Sequence, residues 1–264
     1  MAANVLVHGH RGARAMRPEN TIPAFEYAIA VGVDAIEMDL AVTRDNALVV
    51  SHDPILHQPI CSGPHPSAII RELTLAEVRE WDCGATRNPK FPQQKEVPGT
   101  CVPTLDEVLA LSAYGTFTFD IEIKSFPDKP RYTPTPDEFA RLVLAHIRTH
   151  RLEARVVVQS FDFRTLLAMK RIAPDIQLAA LILDGLQDFV SVARNAGGAQ
   201  IVSPHYRLVS TKKVKAAHDA GLRIVPWTAN LPRQWDGLIQ AGVDGIITDD
   251  PAALVAHLKK KGLR

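Results

Sequence analysis

The sequence predicts an α/β protein built as a (β/α)8 barrel, the TIM barrel, with a small proline-rich insertion after its second strand. Eight short apolar runs alternate with helical patterns, and this alternation favours parallel strands joined by right-handed helical crossovers. Eight strand–helix units in 264 residues match the size of such a barrel. A doubly wound open sheet is the alternative, but the sequence has neither the GxGxxG nor the Walker A pattern that would support it.

The predicted strands are short and mostly apolar, and they occupy residues 4–8, 35–40, 117–123, 156–160, 178–183, 200–203, 223–228 and 244–248. A first helix begins after Asn20 or Thr21, either of which can cap it, and ends at Gly32. Later helices lie near 135–150, 163–172, 187–196, 211–219, 232–241 and 251–260. The run at 47–51 is not a barrel strand, because the short turn before it can only join antiparallel neighbours. Residues 40–51 therefore predict a hairpin at the barrel mouth.

The segment from residue 54 to residue 103 interrupts the alternation of strands and helices. It has prolines at 54, 59, 64, 66, 89, 92, 98 and 103. Capping boxes, in which a threonine is followed three residues later by a glutamate, predict helix starts at Thr74, at Thr104 and at Thr135. Long irregular segments in compact domains are often lids or binding loops. We therefore expect one barrel domain over residues 1–264, with 54–103 as an insertion over the site.

Composition excludes several classes of protein. The net charge of +1 and the lack of a basic block argue against a nucleic-acid or membrane-surface partner. No apolar run approaches a membrane span, and the N-terminus does not resemble a secretory signal, which predicts a cytoplasmic protein. A sequence whose signal peptide had been removed would look the same, so a periplasmic or secreted location stays open.

Three cysteines, Cys61, Cys83 and Cys101, lie in the insertion without CxxC spacing. Reduced thiols are the default expectation, and one disulfide is the alternative in an oxidising compartment.

Acidic residues lie near the ends of two apolar strands. Glu37 and Asp39 alternate in the second strand and therefore face the same side, and Glu122 follows the same pattern in the third. Because barrel enzymes place their sites at the carboxyl ends of the strands, the three carboxylates should converge there. Such an oxygen-rich site suits Mg²⁺ or Ca²⁺ better than Zn²⁺. The alternative is a buried strand whose acids pair with arginine or lysine.

Basic and imidazole side chains follow the same strand ends. Arg11 and Lys124 would suit an anionic substrate, above all a phosphate. His10 and His52 could divide the general-base and general-acid roles, since imidazole titrates near neutrality. Together with a metal ion, these groups predict phosphodiester cleavage.

Other residues near the strand ends have structural explanations. Glu19 is expected to form a salt bridge near a helix start, and Gln159 could either line the mouth or bond to the barrel wall. Asp249 could cap the last helix, so it is left out of the catalytic set. His8 is either a partner of the catalytic histidine two residues later or a satisfied core histidine. Trp227 ends the seventh strand, where packing at the barrel top is the simple explanation.

The chain resembles the glycerophosphodiester phosphodiesterases, a family of the phospholipase-C-like phosphodiesterase superfamily. The resemblance rests on ordered motifs across the whole chain: His10-Arg11-Gly12, Pro18-Glu19-Asn20-Thr21, Glu37-Met38-Asp39, Ser51-His52-Asp53-Pro54, Ile121-Glu122-Ile123-Lys124, Val158-Gln159-Ser160-Phe161, Pro226-Trp227-Thr228 and Thr248-Asp249-Asp250-Pro251.

This resemblance implies metal-dependent hydrolysis of a small-molecule glycerophosphodiester to sn-glycerol 3-phosphate and an alcohol. It implies a divalent metal held by Glu37, Asp39 and Glu122. It implies acid/base catalysis by His10 and His52, and substrate binding by Arg11, Lys124 and Trp227, with the tryptophan lining the glycerol or alcohol pocket. In the mechanism it implies, the glycerol 2-hydroxyl attacks phosphorus, the alcohol leaves, and water opens the cyclic phosphate.

Two other functions remain open. A phospholipase-D-like lyase acting on lysolipids or sphingolipids would share the barrel and the metal site and would release a stable cyclic phosphate. A barrel that binds phosphodiesters without catalysis is the alternative of another class, and the presence of both histidines disfavours it. The sequence does not determine the head group, the metal or the oligomeric state.

Overall fold

A computed structural model describes residues 5–126, 128–185 and 188–264 of the protein. Its strands are β1 Leu6–Gly9, β2 Ala35–Val42, β3 Leu48–Val50, β4 Ile55–His57, β5 Ser67–Ile69, β6 Thr118–Ile123, β7 Val156–Ser160, β8 Gln177–Ile182, β9 Ile201–Pro204, β10 Arg223–Ile224 and β11 Gly245–Thr248. Its helices are α1 Ile22–Ala30, α2 Leu75–Val78, α3 Leu105–Leu109, α4 Pro136–Thr149, α5 Phe163–Ile172, α6 Phe189–Asn195, α7 Thr211–Asp219, α8 Pro232–Ala241 and α9 Pro251–Lys260.

Eight of these strands form one parallel sheet in the order β10-β9-β8-β7-β6-β2-β1-β11. Its two ends meet through backbone hydrogen bonds, including Asp244 N to Ile224 O (2.9 Å) and Ile247 N to Pro226 O (2.9 Å). The predicted barrel is thus confirmed, with its helices placed between successive strands. Residues 4 and 187, at which a predicted strand and a predicted helix begin, lie outside the described residues.

The seventh barrel strand is shorter than predicted. Regular pairing ends at Ile224 rather than at residue 228. Pro226 has no N–H to donate to the ladder, so beyond it the chain continues by isolated contacts such as Trp227 N to Pro204 O (3.0 Å).

The helix starts follow the local sequence. The capping boxes at Thr74, Thr104 and Thr135 are all formed, each with reciprocal bonds to the glutamate three residues later. At α1 the N-cap is Thr21, but its hydroxyl donates to Pro18 O (2.6 Å) and does not cap the helix. None of the described helices is long and apolar enough to cross a membrane.

Apolar side chains fill the layer between barrel and helices and part of the barrel interior. The interior cluster consists of Val157, Ala179, Ile201, Val225 and Ile247, with Trp227 packed against it. Ile247 and Trp227 also line the cavity that holds charged residues of β2 and β6, so the apolar cluster borders the polar mouth.

The insertion has a small core of its own. Strand β3 pairs antiparallel with β2, as the hairpin prediction required, and β4 pairs with β5. Residues Leu56, Ile70, Val78 and Trp81 pack together with Ala41 and Val49 of the hairpin. Cys61 and Cys83 form a disulfide, whereas Cys101 is free and exposed. The default expectation of reduced thiols is therefore wrong for the first two cysteines, because the fold of the insertion brings them together.

Candidate active site

Three carboxylates converge at the barrel mouth. Strands β2 and β6 are neighbours with Asp39 directly opposite Glu122, and Glu37 precedes Asp39 on the same face. Ligand oxygens of the three side chains lie within 4.8 Å of one another, and all three residues are buried. Burial, with the charges of the other two acids, raises the pKa of Glu37 well above its usual range. The concentration of negative charge favours a cation at this point.

Two cationic side chains partly offset this charge. Lys124 Nζ lies 2.9 Å from Glu122 Oε1 and 3.3 Å from Asp39 Oδ1. Arg11 Nε lies 3.3 Å from Asp39 Oδ2, and its Nη1 lies 2.5 Å from Glu19 Oε1. Although burial opposes it, the charges of Lys124 and Arg11 hold the pKa of Asp39 well below its usual range. The expected Glu19 salt bridge is present, and the acids do have cationic partners.

These partners leave the carboxylate cluster incompletely satisfied. Asp39 Oδ1 is buried and accepts no well-formed hydrogen bond from the described residues, although Lys124 Nζ lies 3.3 Å away. A buried carboxylate oxygen without a hydrogen bond, in a cluster of three acids that shares one lysine, is costly unless a further cation binds there. The donor set is all oxygen, which suits a hard divalent ion such as Mg²⁺ or Ca²⁺. The residues present therefore fit a divalent metal.

His10 is held by Asp249, which follows β11. His10 Nδ1 lies 2.6 Å from Asp249 Oδ1, and its Nε2 lies 4.0 Å from Glu37 Oε2. Burial, followed by the charge of Arg14, lowers the pKa of His10 to about 4. Burial opposes ionisation of Asp249, but hydrogen bonds and charges from His10 and Arg14 hold its pKa far below the usual range. An ionised carboxylate can only accept, so His10 donates from Nδ1 and turns an unprotonated Nε2 towards the carboxylates.

His52 follows β3 and has a different setting. Its Nδ1 lies 2.7 Å from Asp53 Oδ1, and its side chain is 33 % exposed. The hydrogen bond from His52 is the main cause that lowers the pKa of Asp53 to about 2. Asp53 therefore stays anionic beside a histidine that is open to solvent.

A cavity of about 230 Å³ joins these groups. Of the predicted site residues it is lined by His10, Arg11, Glu37, His52, Glu122, Lys124 and Trp227, whereas Asp39 does not line it. The Trp227 ring packs edge-on against Phe161 with centroids 5.3 Å apart, and its Nε1 donates to Ser203 O (2.9 Å). This ring forms a fixed apolar wall opposite the charged groups.

Several residues at the site were not in the predicted set. Asp249 was interpreted as a helix cap, but the α9 cap is Asp250, whose Oδ1 accepts from Ala253 N (2.9 Å). Asp249 also accepts from Arg14 Nε (2.6 Å) and from Asn230 Nδ2 (2.7 Å). The sequence signal for Asp249 was the pair of adjacent aspartates before Pro251, because a helix N-cap uses only one of them. Nothing in the spacing pointed to Arg14 or Asn230.

Two ambiguous residues are resolved. Gln159 lines the cavity and donates from Nε2 to Glu37 Oε1 (3.2 Å). His8 is buried and its Nδ1 is hydrogen-bonded to Asp120 in the barrel interior. His8 is therefore a core histidine with its own partner and does not contact His10 through that nitrogen.

A parallel barrel that gathers buried acids, histidines and cations around one cavity at its carboxyl mouth defines the class of protein as a barrel enzyme with its active site in that cavity. Residues 10–253 match the model of the glycerophosphoryl diester phosphodiesterase family. A glycerophosphodiester phosphodiesterase of Caldanaerobacter subterraneus subsp. tengcongensis is 33 % identical over 257 residues, which cover 97 % of this chain and 99 % of that protein. This chain therefore belongs to the glycerophosphoryl diester phosphodiesterase family and is an enzyme that hydrolyses phosphodiesters.

Solved structures agree with this assignment. A putative glycerophosphoryl diester phosphodiesterase from Silicibacter pomeroyi DSS-3 superposes with a TM-score of 0.92 at 32 % identity, covering 99 % of this chain and 95 % of that one. An Oleispira antarctica phosphodiesterase in complex with the product sn-glycerol-3-phosphate shares the fold with a TM-score of 0.83 at 20 % identity and 96 % coverage of each chain.

Proposed function

We propose that the enzyme cleaves glycerophosphodiesters to sn-glycerol 3-phosphate and an alcohol with the residues that line the mouth cavity. The observation that carries the proposal is the cluster of Glu37, Asp39 and Glu122, with ligand oxygens within 4.8 Å of one another beside His10. Such a cluster would hold a divalent ion, and the bound ion would polarise the phosphoryl group and lower the pKa of an attacking hydroxyl.

The two histidines receive opposite roles because their environments differ. His10 is neutral near pH 7 and has a free Nε2, so it is the base that takes a proton from the attacking glycerol 2-hydroxyl. His52 is solvent-accessible and hydrogen-bonded to the anionic Asp53, so we assign it the role of the acid that protonates the leaving alcohol. In the second step these roles reverse as water opens the cyclic phosphate.

Substrate binding falls to the remaining side chains. Arg11 and Lys124 would hold phosphate oxygens, since both line the cavity and carry charge beside the acids. Trp227 would cover the carbon face of the glycerol or of the leaving alcohol, because its ring is an apolar wall held by Phe161 and Ser203. The oxygen-only donor set supports Mg²⁺ or Ca²⁺ as the metal.

Product analysis with defined substrates tests this function. Purified enzyme with Mg²⁺ or Ca²⁺ should release sn-glycerol 3-phosphate from at least one of glycerophosphocholine, glycerophosphoethanolamine and glycerophosphoglycerol, and EDTA should stop the release. Phosphorus NMR separates the alternatives, because a stable cyclic phosphate would identify a lyase instead. Absence of turnover on every diester with every divalent ion would overturn the proposal.

Ligand variants test the metal site separately from catalysis. Glu37→Gln, Asp39→Asn and Glu122→Gln should each weaken metal binding measured by calorimetry. His52→Ala should abolish turnover and keep the metal affinity. Full metal affinity in all three carboxylate variants would show that the ion binds elsewhere.

We further propose that the chain is one domain over residues 1–264 with 54–103 as its insertion. The hairpin of β2 and β3 supports this, because its alternate residues belong to the barrel core and to the insertion core. For cellular location, the Cys61–Cys83 disulfide favours the oxidising alternative over the cytoplasm. Fractionation of the source cells would decide between the two.

A further inference from the structure

The carboxylate of Asp53 contacts two histidines, His52 and His57. Only His52 has a part in the catalysis proposed above. Oδ1 of Asp53 lies 2.7 Å from Nδ1 of His52, and its Oδ2 lies 3.3 Å from Nε2 of His57. His57 belongs to the insertion, at the end of β4. The insertion is thereby connected to the mouth of the barrel through a chain of three side chains.

Both ring nitrogens of His57 have a hydrogen-bonding partner. Its Nδ1 lies 2.6 Å from the carbonyl oxygen of Gln58, and its Nε2 faces the ionised Asp53. A carboxylate can only accept hydrogen bonds, so His57 donates to Asp53, and this hydrogen bond helps to lower the pKa of the Asp53 carboxyl. His57 thus holds the oxygen of Asp53 that His52 does not use.

We propose that His57 is a positioning residue for His52, acting through Asp53. With Oδ2 held by His57, the carboxylate keeps Oδ1 directed at His52 Nδ1, which fixes the orientation of the His52 ring at the wall of the cavity. The inference rests on the proposed function, in which His52 protonates the leaving alcohol. It also gives the insertion a part in catalysis that does not require contact with substrate.

The insertion is built to hold His57 in place. His57 pairs with Ser67 in the β4–β5 ladder, and its carbonyl accepts from the backbone N–H groups of Ile60 (3.1 Å) and Cys61 (3.0 Å). The Cys61–Cys83 disulfide joins the following turn to the rest of the insertion. A residue with both its strand and its turn fixed loses little entropy when it holds a partner.

Other charged groups also face these three side chains. His52 shares the mouth cavity with Glu37, Glu122 and Lys124, and its charge acts on Asp39. Glu19 lines the same small cavity of about 20 Å³ as His52, Asp53 and His57. The charge of Arg11 also reaches Asp53 and adds to the lowering of its pKa. These groups remain in place when His57 alone is replaced, so the change at Asp53 is confined to the loss of one hydrogen-bond donor.

Replacement of His57 should change both the rate and its pH dependence. In His57→Ala, kcat should fall by roughly 10-fold with KM nearly unchanged, the loss typical of removing a partner that orients a reacting group. Loss of the His57 hydrogen bond leaves the negative charge of Asp53 less dispersed beside His52, so the alkaline limb of kcat should move up by about 0.5 pH unit.

His57→Gln tests the hydrogen bond directly. Its amide can donate to Asp53, so most of the loss in kcat should be recovered and the alkaline limb should return towards its wild-type position. His65→Ala is the matched control, because His65 is an exposed histidine of the same insertion. The His65→Ala variant should have the wild-type kcat and the wild-type alkaline limb of the kcat–pH profile.

The experiment compares pH profiles of kcat for wild type, His57→Ala, His57→Gln, His65→Ala and His52→Ala on one glycerophosphodiester, with NMR titration of the His52 ring. A wild-type profile in His57→Ala overturns the inference, and so does a lower kcat without a shift of the limb and of the His52 titration. Either of these outcomes in His57→Ala leaves the proposed function intact, provided that wild type is active and His52→Ala is inactive. Inactive wild type, or active His52→Ala, would instead overturn the proposed function.

Discussion

The two histidines at the barrel mouth are both hydrogen-bonded to a carboxylate, yet their surroundings separate their chemistry. His10 is buried beside Arg14, which disfavours its charged form, whereas a third of the His52 side chain is exposed. Burial and neighbouring charge are the general means by which one site obtains both an acid and a base near neutral pH. The carboxylates Asp249 and Asp53 decide which ring nitrogen of each histidine is available.

Asp249→Asn should therefore impair catalysis more than binding. Asparagine lacks the negative charge that holds the Nδ1–H tautomer of His10, so we expect kcat to fall on the order of 10³-fold with a similar KM. Steady-state kinetics measure the effect. Asp250→Asn is the matched control, since asparagine caps a helix as well as aspartate does. Equal activity in the two variants would remove Asp249 from the site.

His10 should also make the metal-free enzyme less stable in acid. Its pKa is about 4 in the folded state against 6.5 for an unperturbed histidine, so the unfolded chain binds its proton first. The contribution of neutral His10 to the free energy of unfolding is fully present above pH 6.5 and is lost as pH falls towards 4. A pKa shift of this size corresponds to about 3 kcal/mol. Urea unfolding in EDTA between pH 7 and 4 should show a shallower loss in His10→Gln than in wild type or His65→Gln. Parallel curves for all three proteins would contradict this prediction.

The turn between β1 and α1 positions Arg11 by an unusual backbone. Arg11 and Gly12 both have positive φ, 51° and 80°, and the backbone N–H of Arg11 donates to Glu37 Oε2 (2.8 Å). A Cβ added at Gly12 would lie 2.7 Å from the carbonyl carbon of Ala24 in α1. The glycine thus lets the turn approach the helix while presenting Arg11 to the carboxylates.

Gly12→Ala should lower both stability and activity. Positive φ and overlap with α1 together should cost about 3 kcal/mol, and the displaced turn should reduce kcat/KM. Gly32→Ala is the matched control, because Gly32 has φ 81° but a Cβ there meets nothing within 4 Å. The control should lose only about 1 kcal/mol and keep full activity. Urea unfolding and kinetics measure both variants, and equal losses would show that the close approach is unimportant.

The whole molecule consists of the barrel with its helices and the smaller insertion core, which meet at the β2–β3 hairpin. Leu40, Val42, Leu48 and Val50 pack into the barrel core, whereas Ala41 and Val49 face the insertion. Because successive side chains of a strand point to opposite faces, one hairpin serves both cores. Changes in the insertion can therefore reach His52, which directly follows this hairpin.

Removal of the disulfide should loosen the insertion first. Cys61 and Cys83 are 22 residues apart, and closing a loop of this length stabilises a fold by about 3 kcal/mol. We expect Cys61→Ala/Cys83→Ala to unfold at lower urea than wild type, with amide exchange faster in residues 55–83 than in the barrel. Cys101→Ala should match wild type, because Cys101 is free. Unchanged exchange in the double variant would show that the small core holds without the crosslink.

Much of this architecture could be predicted from local sequence patterns. The capping boxes at Thr74, Thr104 and Thr135 and the hairpin at 40–51 depend on neighbouring residues, and each formed as expected. The seventh strand was predicted too long because the prediction followed the apolar pattern to residue 228. Pro226 lacks a backbone N–H, and regular pairing ends before it, at Ile224. Asp249 was assigned a cap that Asp250 provides, because a local pattern cannot distinguish two adjacent aspartates.

The sequence by itself determined the order of the elements and which side chains stand at the strand ends. Alternation along a strand and the common direction of parallel strands place those side chains at one edge, whatever the details of packing. Only the tertiary structure decided their partners: His10 with Asp249, which is 239 positions away, Lys124 with Asp39 and Glu122, and Cys61 with Cys83. Such pairs depend on distances set by closure of the barrel and folding of the insertion, and no local pattern carries that information.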